Sequence, residues 1–142
     1  MFDNCTSLTI APELHATTLA NNCCHYMFRG CTSLTTAPSV LPATTLVNSC
    51  YLQMFQGCTS LTTAPELPAT TLAERCYNGM FDGCTSLNYI KCLATDISEK
   101  DCTEDWLYGV ASTGTFVKNP NMASWTTGVS GIPSGWTVTN AS

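Results

Sequence analysis

The sequence has little charge and no long apolar run, and each shortage excludes a class of protein. The 142 residues contain five Lys plus Arg and ten Asp plus Glu, with no basic run that could follow a phosphate backbone. No stretch approaches the roughly 18 consecutive apolar residues of a membrane-spanning helix, and the first residues lack the basic-then-apolar order of a signal peptide. We therefore expect no nucleic acid partner and no membrane span.

Motifs for catalysis and for cofactor binding are also missing. The sequence has no glycine-rich phosphate loop, no plausible catalytic triad and no carboxylate pair placed by a motif. The two histidines, His15 and His25, both lie early in the chain, whereas the cysteines are spread evenly along it. An even spread argues against a single active site, so we expect no enzyme, no catalytic residue and no cofactor.

A repeat is the main feature that the sequence does have. Met1, Met27, Met54 and Met80 each precede Phe and lie 26, 27 and 26 residues apart, and one further step of 26 reaches Trp106. A fixed period of this length is typical of units that stack on their neighbours to bury an apolar face. We predict a repeat domain over residues 1–110, with a half repeat from 106, and a C-terminal cap over 111–142.

Each repeat predicts one helix and one short strand. In the third repeat, an apolar stripe at i, i+4, i+5, i+8 and i+9 indicates a helix. The stripe consists of Leu72, Cys76, Tyr77, Met80 and Phe81. Gly30, Gly57 and Gly83, with Asn4 in the first repeat, lie where a left-handed residue ends a helix. A last helix is predicted to end at Gly109.

The strand is predicted in "CTSLTTAP" and its equivalents, which are rich in Thr and end at a proline. One leucine of each strand is predicted to enter the core, and these leucines are Leu8, Leu34, Leu61 and Leu87. Residues 114–118 and 135–140 also have strand character, and Trp125 and Trp136 are predicted to form the core of the cap. The sequence thus predicts an α/β solenoid with four rungs of short parallel strand plus helix, closed by a β-rich C-terminal cap.

The phrase F-x-G-C-x-S-L recurs at 28–34, 55–61 and 81–87, with an Asn variant at 2–8. It resembles the opening phrase of the BspA-like class of bacterial leucine-rich repeats, from which this chain departs by longer repeats and a second periodic cysteine. The resemblance implies a leucine-rich-repeat fold and an extracellular or cell-surface protein. It also implies adhesion to, or binding of, a host or microbial surface protein or glycan.

The predicted strands present one solvent-facing row, formed by Thr9, Thr35, Thr62 and Asn88, with Tyr89 as its only aromatic. This row is neutral and poor in the Trp, Tyr and Arg anchors of tight interfaces, so we expect weak binding that gains from avidity. In the alternative interpretation the threonines are only good solvent-facing strand formers. The chain would then be a structural spacer or capping unit that displays another domain on a cell surface or a phage tail.

Eight of the ten cysteines are periodic, and two interpretations of them stay open. Free cysteine is among the most buried residue types, so the eight can form a buried thiol ladder. Disulfides within each repeat can also use all eight, and the pairs are Cys5 with Cys23, Cys31 with Cys50, Cys58 with Cys76, and Cys84 with Cys102. A zinc site at Cys23, Cys24 and His25 is disfavoured, because successive residues of a helix point about 100° apart.

The first repeat lacks a helix before Met1, because Met1 already occupies a repeat position. We therefore expect either that the chain is the C-terminal part of a longer repeat protein or that its N-terminal edge, around Leu8, self-associates.

Overall fold

The computed structural model describes residues 1–142 and contains three strands and no helix. The strands are β1 (Tyr89–Cys92), β2 (Gly114–Lys118) and β3 (Trp136–Asn140), and they form one parallel sheet in the order β1-β2-β3. Tyr89 pairs with Thr115, which pairs with Thr137 on its other side. The strands predicted at 114–118 and 135–140 are confirmed, whereas the α/β leucine-rich solenoid is wrong because its helices are absent.

Four turn segments occupy the places of the predicted helices, at residues 21–30, 48–57, 74–83 and 100–109. Each segment ends on a glycine with a positive φ between 71° and 76°, and these are Gly30, Gly57, Gly83 and Gly109. Asn4 has a φ of 58°, so the left-handed backbone predicted at these positions is confirmed. Two further residues of each segment are also left-handed, with φ from 49° to 60°: Asn22, Tyr26, Ser49, Gln53, Arg75, Gly79, Asp101 and Asp105. A left-handed residue at every fourth position excludes an α-helix, in which every φ is negative.

The hydrophobic stripe fails as a helix signal for a simple geometric reason. All five stripe residues of the third repeat are buried, as predicted: Leu72, Cys76, Tyr77, Met80 and Phe81. A spacing of four residues, however, fits a series of four-residue turns as well as it fits a helix. The pattern therefore identifies the buried face and leaves the backbone undecided.

Alternate backbone N–H groups of a turn segment bond in two directions. In the second segment, the N–H of Tyr51 donates to the carbonyl of Cys76 at 3.1 Å, and the N–H of Phe55 donates to that of Met80 at 2.9 Å. The N–H of Met54 lies between these two and instead donates back to the carbonyl of Tyr51 at 3.1 Å. The segments are therefore joined in parallel, each one bonded to the next along the chain.

The strands predicted in the first three repeats are reduced to single bridges. Ile10 bridges to Thr36, and Thr63 bridges to Tyr89, all in parallel orientation. A proline follows two residues after the bridge position in each of the first three repeats, at Pro12, Pro38 and Pro65, and it offers no N–H to a ladder. The fourth repeat has Lys91 at the same place and forms the strand β1.

The core lies between the turn segments on one side and the bridges and strands on the other. Two aromatic columns run through it, one of them formed by Phe2, Phe28, Phe55 and Phe81 with ring centroids 5.3 to 5.6 Å apart. The second column runs through Tyr51, Tyr77, Trp106 and Trp125. Leu34, Leu61 and Leu87 are completely buried, which confirms them as core residues, and Leu8 is half-buried at the N-terminal end.

Candidate functional site

The five residues predicted for the binding face all lie on the surface, in two neighbouring rows. In the first row the carbonyl of Thr9 accepts hydrogen bonds from the N–H of Thr35 at 2.9 Å and from its hydroxyl at 3.2 Å. Further along, the N–H of Asn88 donates to the carbonyl of Thr62 at 3.0 Å. Tyr89 belongs to the second row, because it pairs with Thr63 and Thr115.

Sequence reasoning missed this second row. Its members are Ile10, Thr36, Thr63, Tyr89, Thr115 and Thr137. The signal was the doubled Thr of "LTTAP": in a regular strand two successive side chains point to opposite faces, so only one was expected outside. Since the first three repeats form single bridges rather than strands, both residues of each pair are exposed, as Thr35 and Thr36 show. We call the two rows together the threonine face.

A shallow depression of about 260 Å³ lies on the threonine face between the second and third repeats. Four threonine residues line it, Thr35, Thr36, Thr62 and Thr63, and Glu13, Ala37, Pro38, Ser39 and Ala64 complete the lining. This volume is slightly below the roughly 300 to 1,000 Å³ of small-molecule pockets. The depression therefore suits one unit of a longer ligand better than a whole enclosed molecule.

Glu13 is the one charged residue that lines the depression. Both of its carboxylate oxygens lie 3.0 Å from the backbone nitrogen of Ser39, and one of them accepts the Ser39 hydroxyl at 2.9 Å. The carboxylate is thus held in place by the neighbouring repeat. Hydroxyl groups and a fixed hydrogen-bond acceptor dominate the chemistry of the depression.

All ten cysteines are free thiols, so the structure contains none of the four disulfides considered above. Seven of the ten are buried: Cys31, Cys50, Cys58, Cys76, Cys84, Cys92 and Cys102. Three of these donate S–H hydrogen bonds to phenylalanine carbonyls of the preceding repeat. The pairs are Cys31 with Phe2, Cys58 with Phe28 and Cys84 with Phe55, at 3.0 to 3.1 Å. Six of the eight periodic cysteines are thus buried free thiols, while Cys5 is half-buried and Cys23 is exposed.

Burial also makes these thiols hard to ionise. It raises the pKa of Cys92 from 9.0 to about 12 and that of Cys50 to about 11. A buried protonated thiol is a poor nucleophile and a poor metal ligand, because both roles need the thiolate. The buried thiols are therefore suited to core packing rather than to nucleophilic attack or metal binding.

Cys23 and Cys24 differ from the seven buried cysteines. Their sulfur atoms lie 3.5 Å apart, and Cys23 is exposed. Adjacent cysteines diverge in a helix, but these two lie in a turn segment. The third member of the motif, His25, has its Nδ1 2.6 Å from the carbonyl oxygen of Asn22. No group of three or more His, Cys, Asp or Glu side chains comes close enough together to hold a metal ion.

A second depression, of about 290 Å³, lies in the C-terminal segment beside Trp125 and Trp136. The indole N–H of Trp136 donates to the carbonyl of Ala111 at 2.8 Å, and Trp125 stacks on Trp106 at 5.6 Å. Trp136 thus bonds within the C-terminal segment, and Trp125 packs against the fourth turn segment. The cationic group of Lys118, which also lines this depression, is bonded to the carbonyl of Met122 at 2.8 Å.

The chain forms no helix with the length and apolarity that crossing a membrane requires. Comparison of the chain with protein-family models, with curated proteins and with solved structures finds no match.

Proposed function

We propose that this chain is a non-enzymatic binding module that engages an extracellular or cell-surface glycan or protein through the threonine face. The observation that supports the proposal is the pair of exposed rows, in which threonine recurs side by side in the second and third repeats. Neighbouring parallel strands lie about 4.8 Å apart, so the hydroxyl groups form a regular array. A ligand with its own repeating hydroxyl groups, such as a glycan chain, matches such an array.

The rigidity of the face also supports this function. Each row is attached to a core of completely buried leucine and phenylalanine side chains, among them Leu61 and Phe55. Backbone hydrogen bonds join consecutive repeats both at the turn segments and at the threonine face. A face that is already ordered loses little conformational entropy on binding, which favours even weak contacts.

The affinity of one module is expected to be low. The face has one aromatic side chain, Tyr89, which is 37% exposed, and it has no Trp or Arg anchor. Display of many copies on one surface would raise the overall affinity through effective concentration. Adhesion between surfaces is the kind of task that such weak, multivalent binding performs.

The test is a glycan and surface-protein array probed with the chain in multivalent form, for example coupled to beads. The variant Thr62→Val/Thr63→Val removes two hydroxyl groups from the depression while it keeps the shape of the side chains. Thr44→Val is the matched control, because Thr44 is exposed and does not line the depression. We expect the double variant to lose the captured ligand and the control to keep it; equal capture by both would overturn the proposal.

The second candidate is a spacer or capping unit that displays another domain. This function is favoured by the difference between the two ends of the stack, of which one is covered and the other is exposed. At one end the C-terminal segment covers the fourth turn segment, where the N–H of Leu107 donates to the carbonyl of Val129 at 3.0 Å. At the other end Met1 is 92% and Ile10 65% exposed. A chain that is stable and monomeric and binds nothing on the arrays would be a spacer, whereas growth of its mass with concentration would indicate self-association through this end.

A further inference from the structure

Cys23, which is exposed, and Cys24, which is half-buried, form a pair of thiols in sulfur-to-sulfur contact. Their Sγ atoms are 3.5 Å apart. Seven other cysteines are buried, and four of these donate to carbonyl groups. The remaining cysteine, Cys5, is half-buried in a different part of the first repeat. Cys23 is therefore the one exposed thiol that a soluble reagent meets, and Cys24 is the thiol in contact with it.

Hydrogen bonds hold the backbone of both cysteines in place. The N–H of Cys23 donates to the carbonyl of Ala20 at 3.1 Å, and the N–H of Cys24 donates to that of Cys50 at 3.0 Å. A disulfide bond is about 2.05 Å long, so the two sulfur atoms need to approach each other by about 1.5 Å.

The repeat pattern does not require a thiol at Cys24. Later repeats have Tyr51 and Tyr77 at this position, where the rings are buried and stack with centroids 6.2 Å apart. The first repeat therefore departs from the aromatic column and places a second sulfur next to its exposed periodic cysteine.

We propose that Cys23 and Cys24 are a redox modification site that a small soluble disulfide, of the glutathione disulfide class, oxidises to a vicinal disulfide. The thiolate of Cys23 attacks one sulfur of the reagent and forms a mixed disulfide, releasing the first small thiol. Cys24 then loses its proton to water and attacks the Cys23 sulfur, which releases the second small thiol. Two protein thiols are oxidised, and one small disulfide is reduced to two thiols.

The environments of the two sulfur atoms set the order of these steps. Cys23 is exposed and meets the reagent first. Burial, followed by the contact with Cys23, raises the pKa of Cys24 from 9.0 to about 12, which makes it the slower, resolving thiol. The mixed disulfide at Cys23 is thus expected to be detected briefly before the bond between Cys23 and Cys24 forms.

The resulting bond is expected to be readily reversible. The Cα atoms of adjacent residues lie about 3.8 Å apart across a trans peptide, which is shorter than the 4.4 to 6.8 Å usual for disulfides. Strained disulfides are reduced more easily than structural ones. A site of this kind responds to the redox state of its surroundings, and it does so whether or not the threonine face binds a ligand.

The experiment exposes the fully reduced folded chain to glutathione disulfide and follows it by intact mass and by fragmentation of the peptide that contains both cysteines. We expect the wild type to lose two hydrogen atoms at Cys23 and Cys24 and to keep no glutathione. Cys24→Tyr, which restores the residue of the later repeats, is expected to keep a stable glutathione adduct at Cys23. Cys24→Ser serves the same purpose if the tyrosine variant does not fold.

Three results would overturn the proposal. A stable glutathione adduct on the wild type would show that Cys24 does not resolve the mixed disulfide. A bond from Cys23 to another cysteine, such as Cys50, would show that the vicinal pair is not the preferred product. Absence of any reaction while an exposed-thiol reagent still labels Cys23 would show that the site does not exchange with small disulfides.

Discussion

The backbone N–H of Phe55 lies 2.9 Å from the carbonyl oxygen of Met80, and this hydrogen bond joins the second turn segment to the third. In an α-helix the same N–H would donate to the carbonyl of Tyr51, four residues earlier. That carbonyl instead accepts the N–H of Met54 at 3.1 Å. Half of the N–H groups in a segment donate to carbonyl groups of the neighbouring segment. The segments therefore stabilise one another, and no single repeat is expected to fold alone.

Gly57 tests the left-handed corner that ends the second turn segment. Its φ is 74°, and a Cβ atom added there would lie 3.8 Å from Gly30, an ordinary contact. The substitution Gly57→Ala therefore isolates the cost of the backbone conformation, which is about 1 to 2 kcal/mol for a residue with a side chain. We expect a loss of stability of this size in urea unfolding.

The matched control for this prediction is Gly57→Asn. Asparagine adopts the left-handed conformation more readily, and the chain itself has Asn4, with a φ of 58°, at the equivalent position of the first repeat. The Asn variant should therefore be more stable than the Ala variant. Equal losses in the two variants would contradict a left-handed corner at this position.

The sequence alone predicted the buried face better than the backbone that carries it. The leucine positions, the strand at 114–118 and the left-handed glycines follow from hydrophobicity, β propensity and conformational freedom, which act locally. The helices were mispredicted because Arg75 and Asp101 adopt a left-handed φ. Neither residue type favours this conformation, so the sequence does not indicate it. Their conformation is set by hydrogen bonds to a segment about 26 residues away, as in the bond from the N–H of Arg75 to the carbonyl of Lys100.

The candidate site was predicted in part for a related reason. Thr9, Thr35, Thr62 and Asn88 were found because they alternate with core residues. The second row was missed because exposure of two successive threonines depends on the proline that prevents a regular strand, as Pro65 does after Thr63. The sulfur contact of Cys23 and Cys24 was missed because its exclusion assumed a helix.

Trp106 tests how the C-terminal segment is attached to the repeats. It is completely buried, stacks on Tyr77 at 5.9 Å and on Trp125 at 5.6 Å, and donates its indole N–H to the carbonyl of Gly131 at 2.8 Å. Trp106→Ala is expected to cost about 3 to 5 kcal/mol, measured by urea unfolding. Tyr108→Ala is the control, since Tyr108 is 58% exposed and its loss should change stability by less than about 0.5 kcal/mol.

The buried thiols predict a loss of stability at alkaline pH. Burial raises the pKa of Cys92 from 9.0 to about 12 and that of Cys50 to about 11, so these groups keep their protons in the folded chain after the unfolded chain has lost them. Above about pH 9 the folded state binds more protons than the unfolded state, and stability falls as the pH rises. Below about pH 8 these groups should have no effect.

Urea midpoints measured between pH 7 and about pH 10.5 check this dependence. The variant Cys92→Ala removes one of the responsible groups, so its alkaline slope should be shallower than that of the wild type, whatever its stability at pH 7. A wild-type midpoint that stays constant throughout this range would contradict the buried protonated thiols.

Thiol counting tests the absence of disulfides in the ladder. In the folded chain, isolated without reductant, a disulfide reagent such as dithiobisnitrobenzoate should react readily with Cys23 and only slowly with the seven buried cysteines. Unfolding of the same sample without reductant should bring the total to ten. Recovery of a peptide in which Cys58 is joined to Cys76 would show that the ladder is oxidised.

The most direct test of the turn-segment fold is a nuclear magnetic resonance experiment that detects couplings across hydrogen bonds, performed on isotope-labelled chain. We expect a correlation between the amide nitrogen of Phe55 and the carbonyl carbon of Met80, since that hydrogen bond is 2.9 Å long. A correlation from Phe55 to the carbonyl carbon of Tyr51 would instead show an α-helix at this place and would contradict the fold described above.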